Sequence, residues 1–174
     1  MRAMFAVAVL LASAFAVAAT VAMLSPRQAT RPAAIALSSL AALPDGTPVR
    51  VTSSFLSGLD LKAARARQTD FGKPRGVVKE LPVFLVRHGD EVRAFIGVDP
   101  RSGCDIKYFT ARALPWGSFP PMLYDVCHGS NYDFFGQKTG GPTPWNLDEL
   151  VLTIRDGVVY ADTTHVIPGR WVAG

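Results

Sequence analysis

The sequence lacks any run of basic residues interleaved with aromatic side chains, although 18 Lys and Arg against 14 Asp and Glu give it a net charge of +4. Nucleic-acid-binding domains usually carry a clustered basic surface, so the sequence argues against that class of protein. Cysteine is also scarce, with two residues in a chain of 174. Glycine and proline, by contrast, number 15 and 13. This composition favours short strands joined by turns over a helical bundle.

Charge is missing from residues 3–24, where only Ser13 and Thr20 interrupt an apolar run. As a helix, about 22 residues extend roughly 33 Å, which is enough to cross a bilayer. We therefore predict a single transmembrane anchor over residues 1–24. A cleaved signal peptide is the alternative, because Ala14 to Ala16 resembles a cleavage site, but the apolar run continues well beyond it.

The rest of the chain divides into a linker and one β-domain. Residues 25–45, rich in Ala, Ser, Pro and Arg, are predicted to form the linker, and residues 46–174 the domain. Alternating apolar residues and turn signals predict strands at 48–54, 82–87, 91–98, 150–155 and 158–162, with hairpin turns at 88–90 and 156–157. Residues 59–71 are predicted to be a short helix or loop. The predicted fold class is all-β and antiparallel.

The most distinctive segment covers residues 125–144. Cys127 and His128 lie side by side, glycines follow at 129, 136, 140 and 141, and prolines end the segment at 142 and 144. Glycine permits backbone angles that other residues avoid, whereas proline fixes φ and removes a hydrogen-bond donor. The segment is therefore predicted to be a rigid, tightly turned loop of the kind that surrounds a cofactor.

This segment resembles the second cluster-binding loop of Rieske iron–sulfur proteins, and the resemblance extends over residues 81–169. In that family the second loop has the sequence Cys-x-Cys-His-Gly-Ser. Tyr or Phe with Asp follows, then Gly, and then Gly-Pro-x-Pro. Two cysteines and two histidines from two loops hold a [2Fe–2S] cluster. The resemblance implies a Rieske-like antiparallel domain, with a small subdomain of two loops at about residues 99–144.

The ligand positions of this family are changed in the present chain. In the second loop Asp125 stands at the cysteine ligand and His128 at the histidine ligand, while Cys127 matches a disulfide cysteine. The first loop is matched to residues 99–104. There the correspondence places Asp99 at the cysteine ligand, Arg101 at the histidine ligand, Gly103 at the glycine and Cys104 at the disulfide cysteine. A rival register makes Cys104 the ligand but puts Ile106 at the histidine.

The resemblance implies a disulfide between Cys104 and Cys127, with two unrelated thiols as the alternative. Other residues match positions around the cluster. Ser130 and Tyr132 match hydroxyls that bond the cluster and its cysteine sulfur, and Gly141, Pro142 and Pro144 match the covering proline segment. Residues 105–124, with Phe109 and Phe119, form an insert that would pack over the former cluster pocket or bind a partner.

Three interpretations of the altered site remain open. In the first, Arg101 lies between the carboxylates of Asp99 and Asp125 and fills the site with ion pairs, so no cofactor is bound. In the second, Asp99, Asp125 and His128 bind a divalent ion, although Arg101 would repel it. In the third, a [2Fe–2S] cluster persists with unusual ligands.

The expected function follows from the resemblance and the anchor. We expect a single-pass membrane protein with its globular domain on the periplasmic or outer side, where a disulfide persists. It would be a cluster-free accessory subunit of a respiratory or other redox complex, beside cytochrome b- or c-type subunits, without activity of its own. The main alternative is a [2Fe–2S] electron-transfer subunit of a quinol–cytochrome c oxidoreductase. A mononuclear metal-binding domain is a further alternative.

Overall fold

The fold was obtained as a computed structural model, which describes residues 34–53, 81–114 and 117–172. These residues form twelve strands and one short 3-10 helix, Leu40–Ala42. The strands are β1 Ala34–Ser39, β2 Val49–Ser53, β3 Leu81–His88, β4 Glu91–Ile96, β5 Ile106–Phe109, β6 Arg112–Leu114, β7 Gly117–Phe119, β8 Met122–Asp125, β9 Asn131–Tyr132, β10 Lys138–Gly140, β11 Glu149–Arg155 and β12 Val158–Ile167. All paired strands are antiparallel, so the predicted all-β class is confirmed.

The larger sheet has six strands in the order β1-β12-β11-β4-β3-β2. Its edge strands β1 and β2 approach each other, so the sheet is nearly closed into a barrel. The interior holds one hydrophobic core. Its buried members are Leu43, Leu81, Val83, Leu85, Ala94, Ile96, Leu150, Val159 and Ala161.

Two hairpins of this sheet have the turns that the sequence predicts. His88 pairs with Glu91 across a two-residue turn that begins at Gly89. The turn between β11 and β12 is Asp156–Gly157, where both residues have positive φ, 51° and 73°. Two positive φ values give a turn whose twist matches that of the flanking strands. The strands predicted at 82–87, 91–98, 150–155 and 158–162 are confirmed, with β12 longer than expected.

A second sheet, in the order β10-β9-β8-β5, carries the candidate site. It packs against the opposite face of β3 and β4 and encloses a second core. That core consists of Phe84, Val86, Phe95, Ile106, Leu123, Tyr132 and Leu147. Successive side chains of β3 therefore point alternately into the two cores, which explains why its sequence is continuously apolar.

Arg93 and His88 of the larger sheet contact Phe135, which lies in the connection between β9 and β10. Arg93 on β4 donates from Nε and Nη2 to the two carboxylate oxygens of Glu149, at 2.9 and 2.6 Å. Its Nη1 donates to the carbonyl of Phe135, which precedes β10. The Phe135 ring stacks on His88 with 4.4 Å between ring centres. His88, predicted to be a polar turn residue, thus helps to fix the second sheet on the first.

The structure corrects two predictions. Residues 34–45 are not linker, because β1 pairs with β12, Leu43 is buried in the barrel core, and the Asp45 carboxylate accepts a hydrogen bond from Gly89 N. The segment at 125–144 is also not loop throughout, since it contains β9 and β10. The glycine-dependent turns within it are confirmed, with positive φ at Gly129, Gly136 and Gly141.

Other predictions lie outside the described residues. These are the anchor at 1–24, the first part of the linker and the helix or loop at 59–71. Within the part of the chain that the structure describes, no helix has the length and apolar character needed to span a membrane.

Gly136 gives a test of the packing between the sheets. A Cβ there would lie 2.5 Å from the Phe95 ring, and its φ of +72° is unfavourable for other residues. We expect Gly136→Ala to lower the free energy of unfolding by about 2–4 kcal/mol, combining backbone strain with overpacking. Gly46→Ala is the matched control, because Gly46 has a similar φ of +67° but open space around it.

Urea denaturation of the two variants measures the difference. The control should lose only about 1 kcal/mol, from backbone strain alone. Equal losses would contradict the close packing of Gly136 on Phe95.

Candidate functional site

Two loops with the same backbone pattern form the candidate site. In the first loop, residues 99–104, Asp99 N donates to Cys104 O at 2.8 Å and Gly103 N donates to Asp99 O at 2.9 Å. In the second loop, residues 125–130, Asp125 N donates to Ser130 O and Gly129 N to Asp125 O, at 2.8 and 2.9 Å. Each loop therefore closes on an aspartate through the same pair of bonds.

The carboxylates of these aspartates are buried, with 1% of Asp99 and 0% of Asp125 exposed. Oδ1 of Asp99 accepts hydrogen bonds from the backbone N–H groups of Arg101 and Ser102, at 2.9 and 2.7 Å. Oδ1 of Asp125 accepts one from Cys127 N at 2.8 Å. Burying a carboxylate is costly unless it is hydrogen-bonded, and here the N–H groups of each loop meet that need.

A disulfide between Cys104 and Cys127 joins the two loops, with 6.2 Å between the Cα atoms. The predicted pairing is thus confirmed, and both cysteines of the chain are used. The bond closes a segment that contains β5 to β8, so it fixes the ends of two neighbouring strands.

The second oxygen of Asp99 meets the side chain of Tyr132. Tyr132 Oη donates to Asp99 Oδ2 at 2.5 Å. Burial, and then the nearby Asp99 carboxylate, raises the pKa of Tyr132 above its ordinary value, so the phenol stays protonated and acts as a donor. The sequence match assigns Tyr132 to a hydroxyl beside the cluster, and its partner in the structure is the carboxylate of Asp99.

The second oxygen of Asp125 faces Ser102 and His128. Ser102 Oγ donates to Asp125 Oδ2 at 3.2 Å, so a hydroxyl of the first loop bonds to the aspartate of the second. His128 Nδ1 lies 3.5 Å from the same oxygen, and its side chain is 31% exposed. Ser102 could not be selected from the sequence, because the family pattern allows any residue at the position to which it corresponds.

The segment that follows the second loop covers the site. Arg101 Nη1 donates to Pro142 O at 2.5 Å, and Thr143 N donates to the buried Ser130 Oγ at 3.2 Å. Gly141 has φ of +85° and lies so close to the second loop that a Cβ would be 2.4 Å from Gly129 O. The covering segment at Gly141, Pro142 and Pro144, here called the lid, is therefore held in place by residues of the two loops. Arg101 contacts the lid and is also part of the first loop.

The two carboxylates are satisfied largely by donors that the sequence prediction did not include. Backbone N–H groups, Ser102 and Tyr132 supply these hydrogen bonds. The reason is that the turn geometry of each loop directs its N–H groups at the aspartate, as in an Asx turn.

The side chains whose ligand atoms lie closest together differ from the predicted metal ligands. Ligand atoms of Cys104, Asp125, Cys127 and His128 lie within 4.8 Å of one another, whereas Asp99 is outside this group. The predicted metal site left out the two sulfurs, because the preferred register assigned both cysteines to the disulfide.

A [2Fe–2S] cluster does not fit the positions that correspond to the family ligands. Asp99 and Asp125 offer carboxylate oxygens where the family has thiolates, and Arg101 cannot lose a proton to coordinate iron. Among these four positions only His128 keeps a ligand of the family type. No protein-family model matches the chain, and no curated protein matches it either.

Tyr132 offers a test of how the buried Asp99 is held. Tyr132→Phe should lower the free energy of unfolding by about 1–3 kcal/mol, because Asp99 Oδ2 would lose its donor while remaining buried. Tyr160→Phe, on β12, is the control; it keeps the ring contact with Arg155 on β11 and should cost under about 0.5 kcal/mol. Urea denaturation at neutral pH compares them, and similar small losses in both would contradict the proposed support of Asp99.

The disulfide is tested separately. Replacing both Cys104 and Cys127 by Ser should lower the free energy of unfolding by about 3 kcal/mol, because the cross-link closes a long segment of chain. Alkylation of the denatured wild-type protein should label the two thiols only after reduction. Labelling without a reductant would show that the loops are not cross-linked.

Proposed function

We propose that this chain is a Rieske-like domain that has lost its cluster and serves as a non-catalytic accessory subunit of a membrane redox complex. The observation that carries the proposal is the pair of equivalent loops, each closing on a buried aspartate and joined to the other by a disulfide. The aspartates occupy the positions that correspond to the cysteine ligands of the family.

The hydrogen bonds explain how such loops keep their shape without a metal. In iron–sulfur proteins, N–H groups of the binding loops donate to sulfur and tune the cluster. Here Asp99 Oδ1 and Asp125 Oδ1 accept the corresponding N–H groups. A carboxylate is an acceptor only, so it satisfies these donors as a thiolate would, and no iron is needed to hold the loops.

The remaining contacts support the same proposal. Tyr132 donates a hydrogen bond to the second carboxylate oxygen of Asp99, and Arg101 connects the first loop to the lid by donating to Pro142 O. Direct contacts thus connect the first loop to Tyr132 and to the lid. A domain built in this way has a structural role, since its hydrogen-bonding groups are directed at one another rather than at a substrate.

Exposed aromatic side chains on the insert at 105–124 favour a partner surface over a cover for the site. Phe109 and Phe119 are 47% and 48% exposed, and Val126 at the second loop is 48% exposed. Exposed aromatic side chains are enriched where proteins contact one another. We propose that membrane-embedded subunits of cytochrome b or c type bind here.

The proposed topology follows from the sequence. The apolar segment at 3–24 would anchor the chain in the membrane, and the disulfide supports a domain on the periplasmic or outer side, where thiols are oxidised.

Iron analysis tests the loss of the cluster. Protein purified without air should contain substoichiometric iron and acid-labile sulfide and give no Rieske-type electron paramagnetic resonance signal. Stoichiometric iron and sulfide with that signal would support the electron-transfer alternative and overturn the proposal.

A variant that restores the ligands provides the matched control. Asp99→Cys, Arg101→His and Asp125→Cys together would rebuild the family ligand set with His128. After reconstitution with iron and sulfide, this triple variant should bind a [2Fe–2S] cluster, whereas the wild-type protein should not. A folded triple variant that takes up no cluster would contradict the Rieske-like assignment of the loops.

A further inference from the structure

The two loops bring together four donor groups of mixed type. Cys104, Cys127, Asp125 and His128 each place one ligand atom within 4.8 Å of the others. Two are sulfurs, one is a carboxylate oxygen and one is an imidazole nitrogen. This combination is typical of zinc and similar divalent ions.

We propose that reduction of the Cys104–Cys127 disulfide creates a site for one zinc-type divalent ion, bound by both thiolates, His128 and Asp125. A dithiol reductant supplies two electrons and two protons, the S–S bond breaks, and two thiols form while the reductant becomes a disulfide. Binding of the ion then forms two metal–sulfur bonds and releases the two thiol protons to solvent.

The spacing suits a single ion. Metal–ligand bonds of about 2.0–2.3 Å place neighbouring donors roughly 3.3–3.8 Å apart on a tetrahedron. Asp125 and His128 already lie within 4.8 Å of the sulfurs, and the two sulfurs, bonded to each other in the disulfide, separate once that bond is broken. A two-iron cluster would require its two pairs of ligands to lie further apart, so the group favours one ion.

The fold holds these donors in place from both loops. Cys127 N donates to Asp125 Oδ1, and Ser102 Oγ donates to Asp125 Oδ2, which orients the carboxylate. Cys104 N donates to Ser102 Oγ at 3.2 Å, so the first sulfur is positioned by the same serine. Hydrogen bonds of this kind outside the ligand shell fix the ligands of metal sites.

Access and charge also agree with the proposal. Cys127 and His128 are exposed, so a reductant and an ion reach the disulfide from solvent, while Asp125 forms the buried floor of the site. Two thiolates and one carboxylate carry three negative charges, which outweigh the repulsion of a dication by the nearby Arg101. A three-ligand site of Asp99, Asp125 and His128 would lack the two thiolates.

The oxidation state of the sulfurs therefore controls the site. In the disulfide each sulfur is bonded to the other and is not a thiolate, the form of cysteine that binds metals. After reduction the ion replaces the disulfide as the cross-link between the loops. This inference does not depend on the proposed accessory role, because it concerns the reduced protein, whereas the iron analysis concerns the protein as isolated.

Cobalt binding tests the site, since Co²⁺ is a visible probe for zinc sites. The full chain is made metal-free, reduced with a phosphine without air, and titrated with Co²⁺. We expect one equivalent to produce strong tetrahedral bands and a sulfur-to-cobalt charge-transfer band, and Zn²⁺ to abolish them. The oxidised protein should show neither. Binding without the charge-transfer band, or equal binding by the oxidised protein, would overturn the proposal.

His128→Asn is the informative variant, and His165→Asn is its control. His165 is exposed on β12 and interacts with Asp162, outside the donor group. Loss of His128 should weaken Co²⁺ binding by more than about 10-fold, the lower end of the loss seen when even an outer-shell partner is removed. The control should bind as the wild type does, and equal affinities of the two variants would contradict the ligand assignment.

If reduction unfolds the domain, circular dichroism shows whether Zn²⁺ refolds it. Refolding of the reduced protein by Zn²⁺ would support the proposal, because the ion would then supply the cross-link that the disulfide provided. A reduced protein that stays unfolded with Zn²⁺ present would overturn it.

Discussion

The burial of two carboxylates is the constraint on which the candidate site depends. Asp99 and Asp125 have almost no contact with solvent, and each must therefore find donors within the protein. The loops supply them by turning their N–H groups inward, and Tyr132 and Ser102 supply the rest. Loop shape, lid position and the pairing of the loops all follow from this need. The disulfide then fixes an arrangement that the hydrogen bonds have already specified.

The strands beneath the loops explain why this arrangement is held firmly. Strand β3 is buried on both faces, so it belongs to the barrel core through Val83 and Leu85 and to the second core through Phe84 and Val86. The first loop begins shortly after β4, the partner of β3, and the second begins at the end of β8. Displacement of either loop would therefore disturb an apolar core as well as its own hydrogen bonds.

Much of the fold could be predicted from local patterns, because hairpin turns such as Asp156–Gly157 depend on a few residues with special backbone preferences. Strand β1 was missed, since its Ala- and Ser-rich sequence has weak alternation and becomes a strand only by pairing with β12. The Cys104–Cys127 pair came from the family resemblance. Partners such as Tyr132 for Asp99 were not predictable, because they depend on how two loops meet in space rather than on spacing along the chain.

The near-closure of the six-stranded sheet has a consequence for association with other proteins. An open sheet presents a row of unsatisfied backbone groups, to which a second chain can add a strand. Here the edge strands β1 and β2 approach each other, so the described part of the barrel leaves little backbone available for such an addition. A protein that binds this barrel would then contact its side chains rather than pair with its main chain.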